Sequence, residues 1–188
     1  MAKGERKAGR QQGRDRHRGR GVAKTRRNYT VVLVMCAAVA AVVVGYFAYR
    51  AAADLPGLKM PDQGNLHIAS ESSPHDPYNS DPPTSGPHLP YIAPWGIHTR
   101  PIARELQVHN LEDGGVMVQY SCECPADVAR LRDIVKAFDR HVILAPYPDM
   151  KSRIALTAWT RIETMDQLDE SRVRRFIDAY QGIDHHKK

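Results

Sequence analysis

The chain is expected to be an α+β protein: a single N-terminal transmembrane helix, then a small, mostly antiparallel sheet with two helices and a long proline-rich loop region. Three observations lead there. Residues 29–49, YTVVLVMCAAVAAVVVGYFAY, carry no charge over 21 positions. From residue 108 onward, apolar runs and amphipathic stretches follow in the order strand, helix, strand, strand, helix. Between these parts, Pro82, Pro83, Pro87, Pro90, Pro94 and Pro101 punctuate a segment where rigid, irregular backbone is expected.

The net charge of +6 is unevenly spread. Residues 1–28 hold eleven Lys or Arg against Glu5 and Asp15, a net of +9, which leaves about −3 on the remaining 160 residues. This stretch has almost no apolar side chains and is expected to be a disordered basic cytoplasmic tail. Its charge reads as a topology signal, with attraction to anionic headgroups as a by-product. The folded part is mildly acidic and lacks a basic patch with interleaved aromatics, so nucleic acid is not an expected partner of the domain.

At 1.5 Å per residue, residues 29–49 span about 31 Å, close to the hydrocarbon thickness of a bilayer at about 30 Å. Tyr29, Tyr46 and Tyr49 sit near the ends of the run, where interfacial aromatics belong, and Arg26 and Arg27 precede it. A cleaved signal peptide is the rival reading, with alanines 51–53 as a cleavage site. The run is longer than a typical signal core, however, and Arg50 stands between it and those alanines. The expectation is an uncleaved single-pass anchor in the cell membrane, N-terminus cytoplasmic and C-terminal domain extracytoplasmic. Its partners are then the lipid bilayer and other envelope proteins. Cys36 is a small apolar residue within the span. Residues 50–66 read as a linker, residues 67–182 as the extracytoplasmic domain, and residues 183–188 as a frayed C-terminus.

Within the domain, residues 116–120 form a strand after Gly114-Gly115. Val128, Leu131, Ile134, Val135 and Phe138 recur at helical spacing, predicting a helix over 126–139 with Pro125 in its first turn. Residues 141–145 are a strand, ended by Pro146-Tyr147-Pro148, and 154–159 another. Thr164 with Gln167 resembles a capping box for a helical turn at Asp166. Val173, Phe176, Ile177 and Tyr180 mark one face of a last helix, which Gly182 ends. Helices are expected on one face of the sheet.

The groups able to do chemistry cluster between residues 78 and 124. In His109-Asn110-Leu111-Glu112-Asp113, a single helical turn puts His109, Glu112 and Asp113 near one face, where an imidazole and carboxylates can share a divalent ion. The competing reading is a loop in which they cap backbone groups. A zinc-protease helix is not expected, because Gly114-Gly115 leads at once into a strand. His88 follows Pro82-Pro83-Thr84-Ser85-Gly86-Pro87, which aims its ring closely, as a ligand position or any tight turn requires. Ser85 lacks the strand-to-helix elbow of a nucleophile, and no catalytic set is read. Cys122 and Cys124 have three open readings: a redox-active bridge, a soft-metal site for copper or zinc, or a structural disulfide. His67, His75 and His98 read as solvated loop residues and Met150 as a packing residue.

Several uncommon strings occur together: Tyr78-Asn79-Ser80-Asp81-Pro82-Pro83-Thr84-Ser85-Gly86-Pro87-His88, Ala93-Pro94-Trp95-Gly96, His109-Asn110-Leu111-Glu112, Leu144-Ala145-Pro146-Tyr147-Pro148 and Ala155-Leu156-Thr157-Ala158-Trp159. In this order they resemble the bacterial family of unknown function DUF3105, over about residues 61–182. The resemblance implies an N-terminal anchor and carries no activity. The family pattern reads His-x-x-Glu-His where this chain has Asp113, which is still a possible ligand but a harder one. Two functions are therefore carried: binding or handling of a transition metal through His88, His109, Glu112, Asp113, Cys122 and Cys124, or a non-catalytic accessory or protein-interaction domain of the cell envelope without metal.

Overall fold

The computed structural model describes residues 29, 31–50 and 55–186. The basic tail, alanines 51–53 and the last two lysines lie outside the described residues. The chain divides into two units, Met1–Asp54 and Leu55–Lys188. In the first, helix α1 covers Val31–Arg50 with a mean hydropathy of 2.7, and it is long and apolar enough to cross a membrane. Its side chains are exposed all round, including Leu33, Val42 and Phe47. An evenly apolar helix with no core of its own fits a lipid surrounding.

The second unit is α+β. Its elements run β1 (Leu58–Lys59), β2 (Gly96–Ile97), α2 (Arg104–Glu112), β3 (Val116–Tyr120), α3 (Pro125–Val135), β4 (Val142–Pro146), β5 (Ile154–Ala158), β6 (Arg161–Met165) and α4 (Glu170–Tyr180). The six strands form one sheet in the order β1-β6-β5-β3-β4-β2. The β3–β4 pair is parallel, with Val118 opposite Leu144, and α3 makes the crossover that parallel neighbours require. β5 then runs antiparallel to β3 and β6 antiparallel to β5.

Side-chain alternation sorts the core into two layers. Val116 and Val118 of β3, Val142 and Leu144 of β4, and Ile154 and Leu156 of β5 face α3 and α4. Leu131, Ile134 and Val135 meet them from α3, and Val173, Phe176, Ile177 and Tyr180 from α4. Asp169 caps α4 by accepting from the Ser171 and Arg172 amides at 3.0 and 3.1 Å. On the opposite face, Met117, Ile143 and Ala145 pack with Val108 and Leu111 of α2 and with Trp159.

Four expectations are corrected or refined by this arrangement. The sheet is mixed: three of its five strand pairings are antiparallel, but β4 runs parallel to β3 and to β2, because α3 is long enough to carry the chain back for a parallel return. The second unit holds three helices rather than two, and α2 covers the face that was expected to be bare. Residues 109–112 are therefore neither a lone turn nor a loop, but the end of a nine-residue helix, with Asp113 as its C-cap. Thr164 starts no helix; it pairs with Ala155 in β6, so the Thr164/Gln167 resemblance to a capping box does not hold.

Candidate metal centre

Helix α2 has an unusual buried face. Besides Val108 and Leu111, it buries Gln107, His109, Asn110 and Glu112. Each polar group needs a partner in a low-dielectric interior. Asn110 finds both of its partners on Ala93, accepting from its amide and donating to its carbonyl at 2.9 Å each. Gln107 accepts from Gln119 at 2.9 Å. These bonds fix the helix between the sheet and the proline-rich segment. His109 and Glu112, three residues apart, then project from one side of its last turn.

The proline-rich segment comes to meet them. Residues 64–68 run alongside residues 86–88 as a short parallel pair. Gly86 donates to the Gly64 carbonyl at 2.9 Å, His88 to the Leu66 carbonyl at 2.9 Å, and Ile68 to the His88 carbonyl at 2.8 Å. Bridge partners His67 and His88 project together, with ring centroids 4.9 Å apart. The Leu89 amide donates to the Glu105 carbonyl at 3.0 Å, which ties the pair to α2. Ser85 is buried here, and its hydroxyl accepts from the Gln63 amide, a bracing role rather than a nucleophilic one.

Glu112 is fully buried, and among the described residues no Lys or Arg pairs with it. Its Oε1 accepts from Asn65 Nδ2 at 2.7 Å. Its Oε2 faces three imidazoles: His88 Nε2 at 2.9 Å, His186 Nε2 at 3.5 Å and His67 Nε2 at 3.9 Å. His88 is also fully buried, and its Nδ1 donates to the Gly86 carbonyl at 2.7 Å. That bond assigns the Nδ1 proton, so the Nε2 of a neutral ring presents a lone pair to a carboxylate oxygen. A neutral ring then sets two acceptors 2.9 Å apart, an arrangement that either a proton on Nε2 or a metal ion between them resolves.

His109 completes the cluster. Its ring stacks on His67 at 5.2 Å and meets His88 edge-on at 5.1 Å. It is only 9% exposed, and its Nδ1 has no hydrogen-bond partner of normal geometry. Burial holds its pKa below the usual imidazole value, against the raising pull of Asp113, the nearby Leu89 carbonyl and Glu112. A neutral buried imidazole with an unsatisfied nitrogen is a ligand in waiting. One ligand atom from each of His67, His88, His109 and Glu112 lies within 4.8 Å of the others. Donors at about 2.0–2.2 Å from a common ion sit about 3–4 Å apart, so small rotamer adjustments suffice.

The C-terminal segment also reaches this place. The Gly182 amide donates to the Gly114 carbonyl at 2.7 Å, and the His185 amide to the Glu112 carbonyl at 2.8 Å. Gly114, at φ +78, permits the approach: a Cβ there would lie 2.6 Å from the Ile183 nitrogen. His185 stacks on Trp159, and burial lowers its pKa. His186 places Nδ1 2.7 Å from Asp184 Oδ1, which raises its pKa. Residues 183–186, read from sequence as a frayed end, thus lie along the end of α2.

His88, His109, Glu112 and Asp113 are brought together, whereas Cys122 and Cys124 are not among them. The two cysteines are bonded to each other between β3 and α3, at the opposite end of β3 from Glu112. His75 and His98 lie elsewhere, bonded to the Asp76 and Pro94 carbonyls. Met150 packs with Tyr147 and Ala155. His67 and His186 are the members that sequence reasoning missed. A parallel pairing across twenty residues and a tail folded back on α2 leave no periodic signal.

No curated protein and no solved structure matches the chain. The family model described as "Protein of unknown function (DUF3105)" matches residues 71–188, which takes in His88, His109, Glu112, Asp113 and His186 and begins after His67. The match covers well over half of the sequence, and the chain belongs to the DUF3105 family.

Proposed function

We propose that this is a membrane-anchored protein whose domain, on the extracytoplasmic side, binds a divalent transition-metal ion, zinc(II) or copper(II), through His67, His88, His109 and Glu112. One observation carries the reading. Among the described residues, the buried Glu112 Oε2 has only imidazole nitrogens as ionic partners, and the nearest, His88 Nε2, stands 2.9 Å away on a ring whose other nitrogen is bonded to the Gly86 carbonyl. A metal ion between these atoms compensates the buried charge and gives His109 a use. Gly86 and Asn65 are the outer partners that hold the ring and the carboxylate in place. With both thiols in a disulfide, the remaining donors are imidazole and carboxylate, which suit zinc(II) or copper(II) better than copper(I).

The test is elemental analysis of the full chain, purified in detergent and dialysed first against metal salts and then against metal-free buffer. About one equivalent should remain, since binding recruits a nearly formed site. The double variant Cys122→Ser, Cys124→Ser should keep the same equivalent. A parent chain that retains no metal, with a thermal midpoint indifferent to zinc and copper, means that a proton, not a metal, joins His88 to Glu112.

The anchor reading rests on α1 and on the excess of Lys and Arg before it. Alkaline phosphatase fused after residue 188 should be active, and a reporter that works only in the cytoplasm should be silent there. The reverse pattern would place the domain inside.

A further inference from the structure

We infer that Asp113 and His186 form an outer metal-ligand set that hands the ion to and from the inner set, so that the domain transfers its metal rather than only storing it. This rests on the metal reading above.

The geometry is that of two overlapping sites. His109, Asp113 and His186 each offer a ligand atom within 4.8 Å of the others, and His109 belongs to both sets. Asp113 Oδ1 lies 3.9 Å from His109 Nε2 and beside the His186 ring, 3.6 Å from its Nδ1; that nitrogen is bonded to Asp184, so Nε2 is the one free for a metal. On its other side, His186 holds Nε2 3.5 Å from Glu112 Oε2, the atom at the centre of the inner set. The two sets differ in exposure. In the inner set His88 and Glu112 are closed off from solvent and His67 alone opens outward, its side chain 49% exposed, whereas in the outer set both Asp113 and His186 face solvent, at 31% and 42%.

A hydrated ion cannot shed its water in one step into a buried pocket at low cost. An outer set that binds the half-dehydrated ion lowers that barrier, provided that one ligand can attach before another leaves. His109 and Glu112 meet this condition, because both are within reach of His186 while facing the inner nitrogens. His186 is also prepared as a ligand. Asp184 accepts from its Nδ1, the carboxylate–histidine arrangement that orients a ring and leaves Nε2 for the metal. The strap is held by the Gly182–Gly114 and His185–Glu112 bonds, so His186 is poised over the site.

A transfer ligand stabilises the transition state for loading and release, not the bound state. Stopped-flow loading of the full chain with zinc(II) or copper(II), and release to a chelator, should therefore slow together in His186→Ala. The expected factor is about tenfold in each direction, equivalent to about 1.4 kcal/mol of lost transition-state stabilisation. Affinity should stay within about twofold, because the two rates change alike. Asp184→Asn, which only misaligns the ring, should show a smaller effect of the same form. Three results overturn the inference while leaving the metal site standing: unchanged rates, weaker affinity with faster release (which makes His186 a resident ligand), or a second equivalent of metal bound at saturation. A parent that binds no metal overturns the metal reading itself.

Discussion

Glu112→Gln is expected to leave the domain folded and to abolish its metal binding. The amide has the shape of the carboxylate, and its two ends fit the existing partners without an ion. Its oxygen accepts from Asn65 Nδ2, and its NH2 donates to Nε2 of a neutral His88 ring. The variant therefore removes a buried charge and closes the network with ordinary hydrogen bonds. Without metal, it should be at least as stable as the parent. With metal, the order reverses. An ion at about 100 times its Kd stabilises the parent by about 2.7 kcal/mol. For a domain of this size that is roughly a 10 °C rise in Tm, which Glu112→Gln should lack. Paired melting curves, with and without zinc(II) and copper(II), check both halves. A parent melting curve that metal does not move, or a variant that metal stabilises equally, sinks the assignment.

The parts of the fold that could be read in advance are those where burial is apolar and periodic. Val173, Phe176, Ile177 and Tyr180 all line the core face of α4, and β3 lies where Gly114-Gly115 and the apolar run placed it. Helix α2 escaped because its inner face carries Gln107, His109, Asn110 and Glu112. A helix whose buried side is polar has no hydrophobic stripe to find, and its stability comes from long-range bonds such as Asn110 to Ala93. β6 escaped for a related reason. Most of its residues are only half-buried, since β6 lies next to the two-residue edge strand β1. The site divides along the same line. His109 and Glu112 share a helical turn, so their spacing was informative. His67 and His186 arrive by tertiary contact alone, from before the proline-rich segment and from the tail.

The largest structural effect is expected from Gly115→Ala, at the corner where α2 ends and β3 begins. The Gly115 amide donates to the Asn110 carbonyl at 2.7 Å, so the chain turns back directly onto the helix end. A Cβ on Gly115 would sit 2.3 Å from that carbonyl oxygen and 2.8 Å from the Trp95 ring. The Asn110 carbonyl cannot retreat freely. The Asn110 side chain is tied to Ala93, and β3 is locked between β4 and β5. Overpacking against such a rigid surround costs about 3 kcal/mol, or roughly a 10 °C fall in Tm. Gly182→Ala is the matched control. Gly182 has φ +76 but nothing within 4 Å of a Cβ, so it should lose only the left-handed backbone term of about 1–2 kcal/mol. The corner also aims the last turn of α2, and a shift there moves Glu112 away from His88. Gly115→Ala should consequently lose metal even at temperatures where it remains folded, whereas Gly182→Ala should retain it in the inner set. A Gly115→Ala domain within about 1 kcal/mol of the parent by chemical denaturation would mean that the corner yields more easily than its hydrogen bonds suggest.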